Sequence, residues 1–185
     1  MKKTLSARPW FFPRPVLLVT ARDSAGQDNI ITVSWAGVAC TAPPMVTVSI
    51  RKSRHTHAMI SATKEFVVNI PTSKQREAVE MCGTASGRDV DKFIASGLGK
   101  LPATVVAPPL IVECPINLEC QVRHILPLGS HDLFVAEIVK THVQHGVLRE
   151  DGELDDAMLD CLAWGSTEFF RVITRRTQLR APRFQ

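Results

Sequence analysis

The sequence of 185 residues predicts a mainly β protein, an antiparallel barrel carrying short helical insertions. Three observations carry that expectation. β-Branched and apolar residues come in short runs punctuated by turn residues. The runs do not follow the regular strand, helix, strand order of a parallel sheet. Two of them, 116–123 and 133–143, are long and close enough in sequence to make a hairpin that could serve as the backbone of a barrel.

In chain order, Val16 to Ala21 reads as a strand and Asn29 to Val38 as a second. Between them, Arg22-Asp23-Ser24-Ala25-Gly26-Gln27-Asp28 is turn chemistry throughout, so the two should form a hairpin. Val46, Val48 and Ile50 alternate with Thr47 and Ser49, which turns an apolar face inward and hydroxyls outward. Phe66 to Ile70 is a further strand, stopped by Pro71. The clearest alternation sets Ile116, Leu118, Cys120 and Val122 against Asn117, Glu119, Gln121 and Arg123, the pattern of a half-exposed antiparallel strand. The turn Leu126-Pro127-Leu128-Gly129-Ser130 follows, and Leu133 to Val143 is then apolar almost throughout, as in a strand partly covered on both faces. Helical segments are short. His55 to Ala62 suits about two turns; Ser73 to Met81 has a hydroxyl start and a Gly83 stop; Asp89 to Ser96 starts on an acid and stops at Gly97.

Composition bounds the rest. Hydrophobic residues make up 45% and charged residues 22%, the balance of a globular protein, and the length suits one domain with excursions. No apolar stretch approaches the roughly 20 residues of a membrane helix; the longest, around Val105 to Val112, is broken by Pro108 and Pro109. Arg8, Pro9, Pro13, Arg14 and Pro15 interrupt what a secretory leader would need as an apolar run. Cys40, Cys82, Cys114, Cys120 and Cys161 are odd in number and lack metal-binding spacing, which suits free thiols in the cytoplasm. The net charge of +4 is uneven, with acids between Glu150 and Asp160 and then Arg171, Arg175, Arg176, Arg180 and Arg183 without an acid. Such a tail reads as a solvated extension or a subunit-crossing arm, since no nucleic-acid-binding module accompanies it.

Motifs narrow the chemistry. No GxGxxG, GxSxG or HExxH occurs, and Gly83-Thr84-Ala85-Ser86-Gly87-Arg88 departs from the phosphate-binding P-loop in spacing and lacks its lysine. His55 and His57, two residues apart, are poorly spaced to share a metal, and none is expected. In Ser49-Ile50-Arg51-Lys52-Ser53-Arg54-His55-Thr56, by contrast, a strand runs into cations and hydroxyls and then into a helix. Arginine forks, hydroxyl donors and free helix-terminal amides are what a phosphate dianion needs. A solvated basic loop with Ser53 or Thr56 as N-cap fits the spacing equally well. In Asn29-Ile30-Ile31-Thr32-Val33-Ser34-Trp35-Ala36-Gly37, the small residues at the end would let a flat ligand approach the backbone, while a barrel strand with Trp35 in the core is the plainer alternative.

Seven segments together carry a resemblance. They are Pro15 to Thr20, Thr32 to Trp35, Pro43 to Ser49, Ser53 to Thr56, Glu65 to Pro71, Ser86 to Phe93 and Gly129 to Phe134. In order and at these intervals they resemble the flavin reductase-like family with the FMN-binding split barrel, flavoredoxin included, over residues 13–170; residues 171–185 form a basic extension without counterpart. The resemblance implies a Greek-key split barrel, a homodimer, and one non-covalently held FMN. It implies phosphate contacts from Arg51, Ser53, Arg54 and Thr56 after the strand ending in Ser49 and Ile50. Ring and ribityl contacts would fall to Asn29, Thr32, Val33, Ser34, Trp35 and Ala36, with Cys82 and Lys92 approaching from the other side. His131 matches a position near the nicotinamide in some relatives and is the candidate catalytic residue; a solvent-facing hairpin histidine is the alternative. The activity implied is oxidoreduction through FMN, with NAD(P)H as reductant in a flavin or ferric reductase, or a redox protein partner in a flavoredoxin-type electron carrier. Gly129-Ser130-His131-Asp132 departs from the acid-then-His form of nicotinamide-using members, which leaves both open.

Overall fold

The computed structural model describes residues 1–172; the arginines of the tail beyond Arg171 lie outside the described residues. In chain order the strands are β1 (Arg14–Pro15), β2 (Leu17–Arg22), β3 (Asp28–Val33), β4 (Ala36–Thr41), β5 (Pro44–Arg51), β6 (Glu65–Ile70), β7 (Lys100–Leu101), β8 (Leu110–Ile111), β9 (Ile116–Pro127), β10 (His131–Val143), β11 (Leu162–Trp164) and β12 (Phe169–Arg171). The helices are α1 (His55–Thr63), α2 (Arg76–Thr84) and α3 (Lys92–Ser96). Seven strands make one antiparallel sheet in the order β3-β2-β6-β9-β10-β5-β4. β3 and β4 are therefore consecutive in the chain yet lie at opposite edges of the sheet. Only Ser34 and Trp35 join them, so the sheet must curl until its edges meet at that corner, where Ser49 N–H donates to the Trp35 carbonyl at 2.8 Å. This is the split barrel: closed at one corner and open beyond it.

The barrel interior is apolar. Leu17, Val19, Ala21, Ile31, Val33, Val48, Phe66, Val68, Phe134 and Ala136 fill it, and α1 brings Met59 and Ile60 into the same cluster. A second cluster covers the outer face of β2 and β3: Val16, Leu18 and Ile30 meet Val79 and Cys82 of α2 and Phe93 of α3. β2 is thus buried on both faces, which explains why Val16 to Ala21 is apolar at every position but Thr20. Bulges at Arg123 of β9 and Val139 of β10 interrupt the long β9–β10 ladder; bulges of this kind bend and twist a strand as a barrel wall requires.

Most predicted elements are present, with four corrections. The expected strand Asn29 to Val38 is two strands, because the chain turns at Ser34–Trp35 to reach the far edge. The second helix begins as a 3-10 turn, Ser73–Gln75, capped reciprocally by Thr72 and Gln75, and α2 runs through Gly83 instead of stopping there. Gly83 is in place because a Cβ there would stand 3.3 Å from the Thr32 side chain. The third helix starts later, with Asp91 rather than Asp89 as its cap; its carboxylate accepts from Phe93 and Ile94, and Gly97 at φ +69° ends it.

The fourth correction concerns the alternating strand β9, whose polar face is not exposed at its first half. Asn117 and Glu119 are buried beneath residues 103–111. Glu119 accepts from Thr104 N–H and Oγ1, from the amides of Val105 and Val106, and pairs with His142 Nε2 at 2.6 Å. Asn69 of β6 accepts from the Ile111 amide and from Asn117 Nδ2, while Thr20 Oγ1 donates to the Pro109 carbonyl. A proline-broken loop has backbone groups without a ladder, and these strand side chains supply the partners. Burial alone would raise the Glu119 pKa; the Thr104 backbone donor, His142 and the remaining donors outweigh it and hold it at about 2.

A carboxylate depressed in the fold stabilises above its unfolded value, 4.5 here, and loses that contribution as pH falls through about 2. Glu119→Gln, which turns an amide N–H toward backbone donors, should cost about 2 kcal/mol at neutral pH. Denaturant unfolding of both proteins as a function of pH checks this, with the gap narrowing as pH falls from about 4.5 towards about 2, where the unfolded chain takes up the proton that the native carboxylate still refuses.

Candidate functional site

The open side of the barrel leaves β3 as an unpaired edge of the main sheet, so alternate backbone N–H and C=O groups of this strand face a cleft. The cleft has two lobes. The first, about 210 Å³, lies between β3 and the end of β5 and is lined by Thr32, Val33, Ser34, Trp35, Ser49, Ile50, Arg51, Arg54 and His131. The second, about 230 Å³, lies between the start of α1 and the segment after α2, with Asn29, Ser53, Thr56, Cys82 and Lys92 in its wall. Ile31 and Arg54 belong to both lobes, which makes them one continuous site. All the residues expected to touch a ligand therefore converge here except Ala36. That residue sits beyond the corner, beside Pro9, Phe11 and Arg14 of the N-terminal segment. Gly37, which follows it, stands on an exposed strand away from the cleft.

The second lobe is built for an anion. Arg54 is the N-cap of α1, its side chain makes no capping bond, and no acid lies in the first turn, so the positive end of the helix faces the lobe without a protein counter-charge. Neither Ser53 nor Thr56 caps the helix, which sets aside that plainer reading of the sequence. Thr56 is instead buried and accepts from Asn29 Nδ2 at 2.7 Å, fixing a β3 side chain to α1 across the cleft. Lys92 is buried with its ammonium on the Cys82 carbonyl at 2.7 Å. Burial lowers its pKa, Cys82 opposes that, and the nearby Arg54 charge lowers it further, so the group would be relieved by an anion. The Cys82 thiol is pushed up by burial to about 11; its residue serves the site through its backbone and not as a nucleophile.

Sequence reasoning did not assign site roles to Ser86, Gly87 and Arg88, which line the same lobe. Arg88 donates to the Ser53 carbonyl at 3.2 Å and so ties the segment after α2 to the start of α1. Gly87 lies against the Asn29 amide so closely that any Cβ would overlap it. A glycine between serine and arginine just past a helix is a turn signal that could have suggested a second phosphate-facing loop. Among the described residues no carboxylate lines either lobe, whereas Arg51, Arg54, Arg88 and Lys92 do.

The first lobe has a different character. Trp35 is 38% exposed, so it is not a core residue, and its ring stacks on His131 at 4.6 Å and 22°. His131 pairs across the ladder with Arg51, and its Nδ1 lies 2.8 Å from Ser130 Oγ. Burial and then the Arg51 charge lower its pKa, which keeps the imidazole neutral at neutral pH. Asp132 turns the other way, where its carboxylate meets His57 Nε2 at 2.8 Å and Lys52 at 3.4 Å. His55 lines the anion lobe while His57 belongs to this separate pair, so the two histidines do not converge. Flat walls, a strand edge and a cation-rich end joined to it can accommodate a planar heterocycle with a phosphorylated side chain.

The comparisons with known proteins agree with this geometry. The family model described as "Flavin reductase like domain" matches residues 8–170. An uncharacterized protein of Archaeoglobus fulgidus is 38% identical over 129 residues, 70% of this chain and 72% of that protein. The flavoredoxin of Desulfovibrio vulgaris (Miyazaki F) superposes with a TM-score of 0.89 at 30% identity, covering 98% of each chain. That of Methanosarcina acetivorans does so at 0.87 and 28%, covering 97% of each. The FMN reductase (NADH) RutF of Stutzerimonas stutzeri is 25% identical over 146 residues, 71% of this chain and 82% of that protein. With its split barrel, its cleft and this match along most of its length, the chain belongs to the flavin reductase-like family.

Proposed function

We propose that the chain binds one FMN non-covalently in the two-lobed cleft and works as an oxidoreductase that passes electrons or hydride through it. The observation that carries this reading is the continuity of the two lobes at Arg54, one suited to a flat ring and the other to a phosphate dianion. A bound flavin would supply the redox chemistry itself. The chain's own residues orient and tune: the β3 edge offers N–H and C=O groups to the ring's polar side, and Arg51 favours negative charge beside it. Ser53, Arg54, Thr56, the α1 N-terminus, Arg88 and Lys92 would hold the phosphate.

NAD(P)H as reductant, in a flavin or ferric reductase, is the first form of this function, with His131 at the mouth of the ring lobe as the residue that meets the nicotinamide. The flavoredoxin-type carrier reduced by a protein partner is the second, and Asp132 favours it, because its carboxylate is committed to His57 and is not available to His131. Mixing with NADH or NADPH in a stopped-flow instrument separates them: rapid bleaching of the flavin band supports the reductase, and slow bleaching with rapid reduction by a redox protein supports the carrier. A cytoplasmic site of action suits the five unpaired cysteines, and among the described residues no helix is long and apolar enough to cross a membrane. A homodimer suits the exposed edge strand β4, with Val38 81% accessible, and the neighbouring exposed Trp10 and Phe11.

Two variants test the cleft directly. Arg54→Ala should weaken FMN by about 1.5 to 3 kcal/mol and leave riboflavin nearly unchanged, since only FMN carries the phosphate. Fluorescence titration with both ligands decides; an equal loss for the two would remove Arg54 from the phosphate site. Gly87→Ala should displace the Asn29 amide from Thr56 and weaken FMN about tenfold while the far-UV spectrum stays unchanged.

A further inference from the structure

A third cavity, about 340 Å³, opens between α2 and the β11–β12 hairpin, with Trp164, Phe169, Val16 and Val79 as its apolar walls. Thr32 and Ser34 line both this cavity and the ring lobe of the cleft, so one strand separates the two spaces. The aromatic walls are held by backbone. Trp164 and Phe169 are directly opposed in the β11–β12 register and meet edge to face at 4.5 Å. Gly165 N–H donates to the Glu168 carbonyl at 2.8 Å, a Cβ at Gly165 would collide with the Phe170 ring, and Arg14 Nη2 donates to the Gly165 carbonyl at 3.1 Å.

We propose that this cavity is a binding site for a small uncharged aromatic ring bearing an oxygen substituent, a phenol-like ligand held one strand away from the flavin. Size and walls support it. A cavity of about 150 Å³ lined by apolar side chains binds benzene, so 340 Å³ accepts a substituted single ring. Two rings presented edge to face reward an aromatic guest beyond its buried area. The polar groups select the substituent. The Thr32 hydroxyl is committed as donor to the Val79 carbonyl at 2.5 Å, whereas the Ser34 hydroxyl makes no hydrogen bond within the described residues. Glu80 adds an exposed carboxylate that can accept a hydrogen bond from a phenolic hydroxyl, and among the described residues no lysine or arginine lines the cavity to favour an anion.

The adjacency to flavin rests on the proposed function; the binding itself does not. Calorimetric titration of p-cresol into the full-length protein, without and with FMN, tests both. One site is expected in each form, with 4-methylcyclohexanol, the saturated analogue, binding about tenfold more weakly. Trp164→Leu and Phe169→Leu should each weaken p-cresol about tenfold while FMN is retained. In the FMN-loaded protein p-cresol should also perturb the visible flavin band. Equal binding of the saturated analogue, loss of p-cresol binding on FMN loading, or unchanged binding in both variants would overturn the proposal. Failure to bind FMN with p-cresol binding intact would instead count against the flavin reading alone.

Discussion

The cleft depends on two residues, Ser34 and Trp35, that carry the chain from one edge of a seven-stranded sheet to the other. A longer connection would let the edges drift apart and the sheet lie open. Full ladder pairing between β3 and β4 would close the barrel and leave no free backbone. The short corner does neither: the edges meet there, with Ser49 bonded to Trp35, and diverge beyond it. An unpaired strand edge is ordinarily a hazard for a soluble fold. Here its polar groups open on a cleft flanked by arginines, so the cost of the unpaired edge is tied to recognition.

How far the sequence revealed this depended on whether the relevant contacts were local. The strands of the barrel were legible because each carries its own alternation, and the phosphate-like segment was legible because Ser53, Arg54 and Thr56 lie within four residues of one another. Arg88 and Gly87 were less so, since their place in the site comes from packing against Ser53 and Asn29, far away in sequence. The break at Ser34–Trp35 is equally invisible to periodicity, because the residues on either side remain strand-like and only the sheet order shows the change of edge.

Glu119 and Asn117 show the converse error. Alternation assigned them to solvent, correctly in chemistry and wrongly in place. A proline-broken apolar loop has no ladder of its own, and it folds onto the strand face that can satisfy its amides. Polar residues opposite an apolar stripe thus signal a face that needs hydrogen-bonding partners, and water is only one source of them. The same logic puts Asn69 and Thr20 beneath residues 109–111.

Lys92 has a consequence that reaches beyond recognition. Its ammonium is buried, and its pKa is lowered by burial and by the charge of Arg54, so the folded chain confines like charges that the unfolded chain would keep apart and hydrated. Such a cleft works as a loaded spring against its own fold. Any dianion that enters releases part of that load, and by mass action the conformational stability of the protein then depends on the concentration of its occupant. If FMN is that occupant, as proposed, the folded chain is more durable where FMN is plentiful, and the buried amine of Lys92 is one of the groups through which ligand supply and chain survival are coupled.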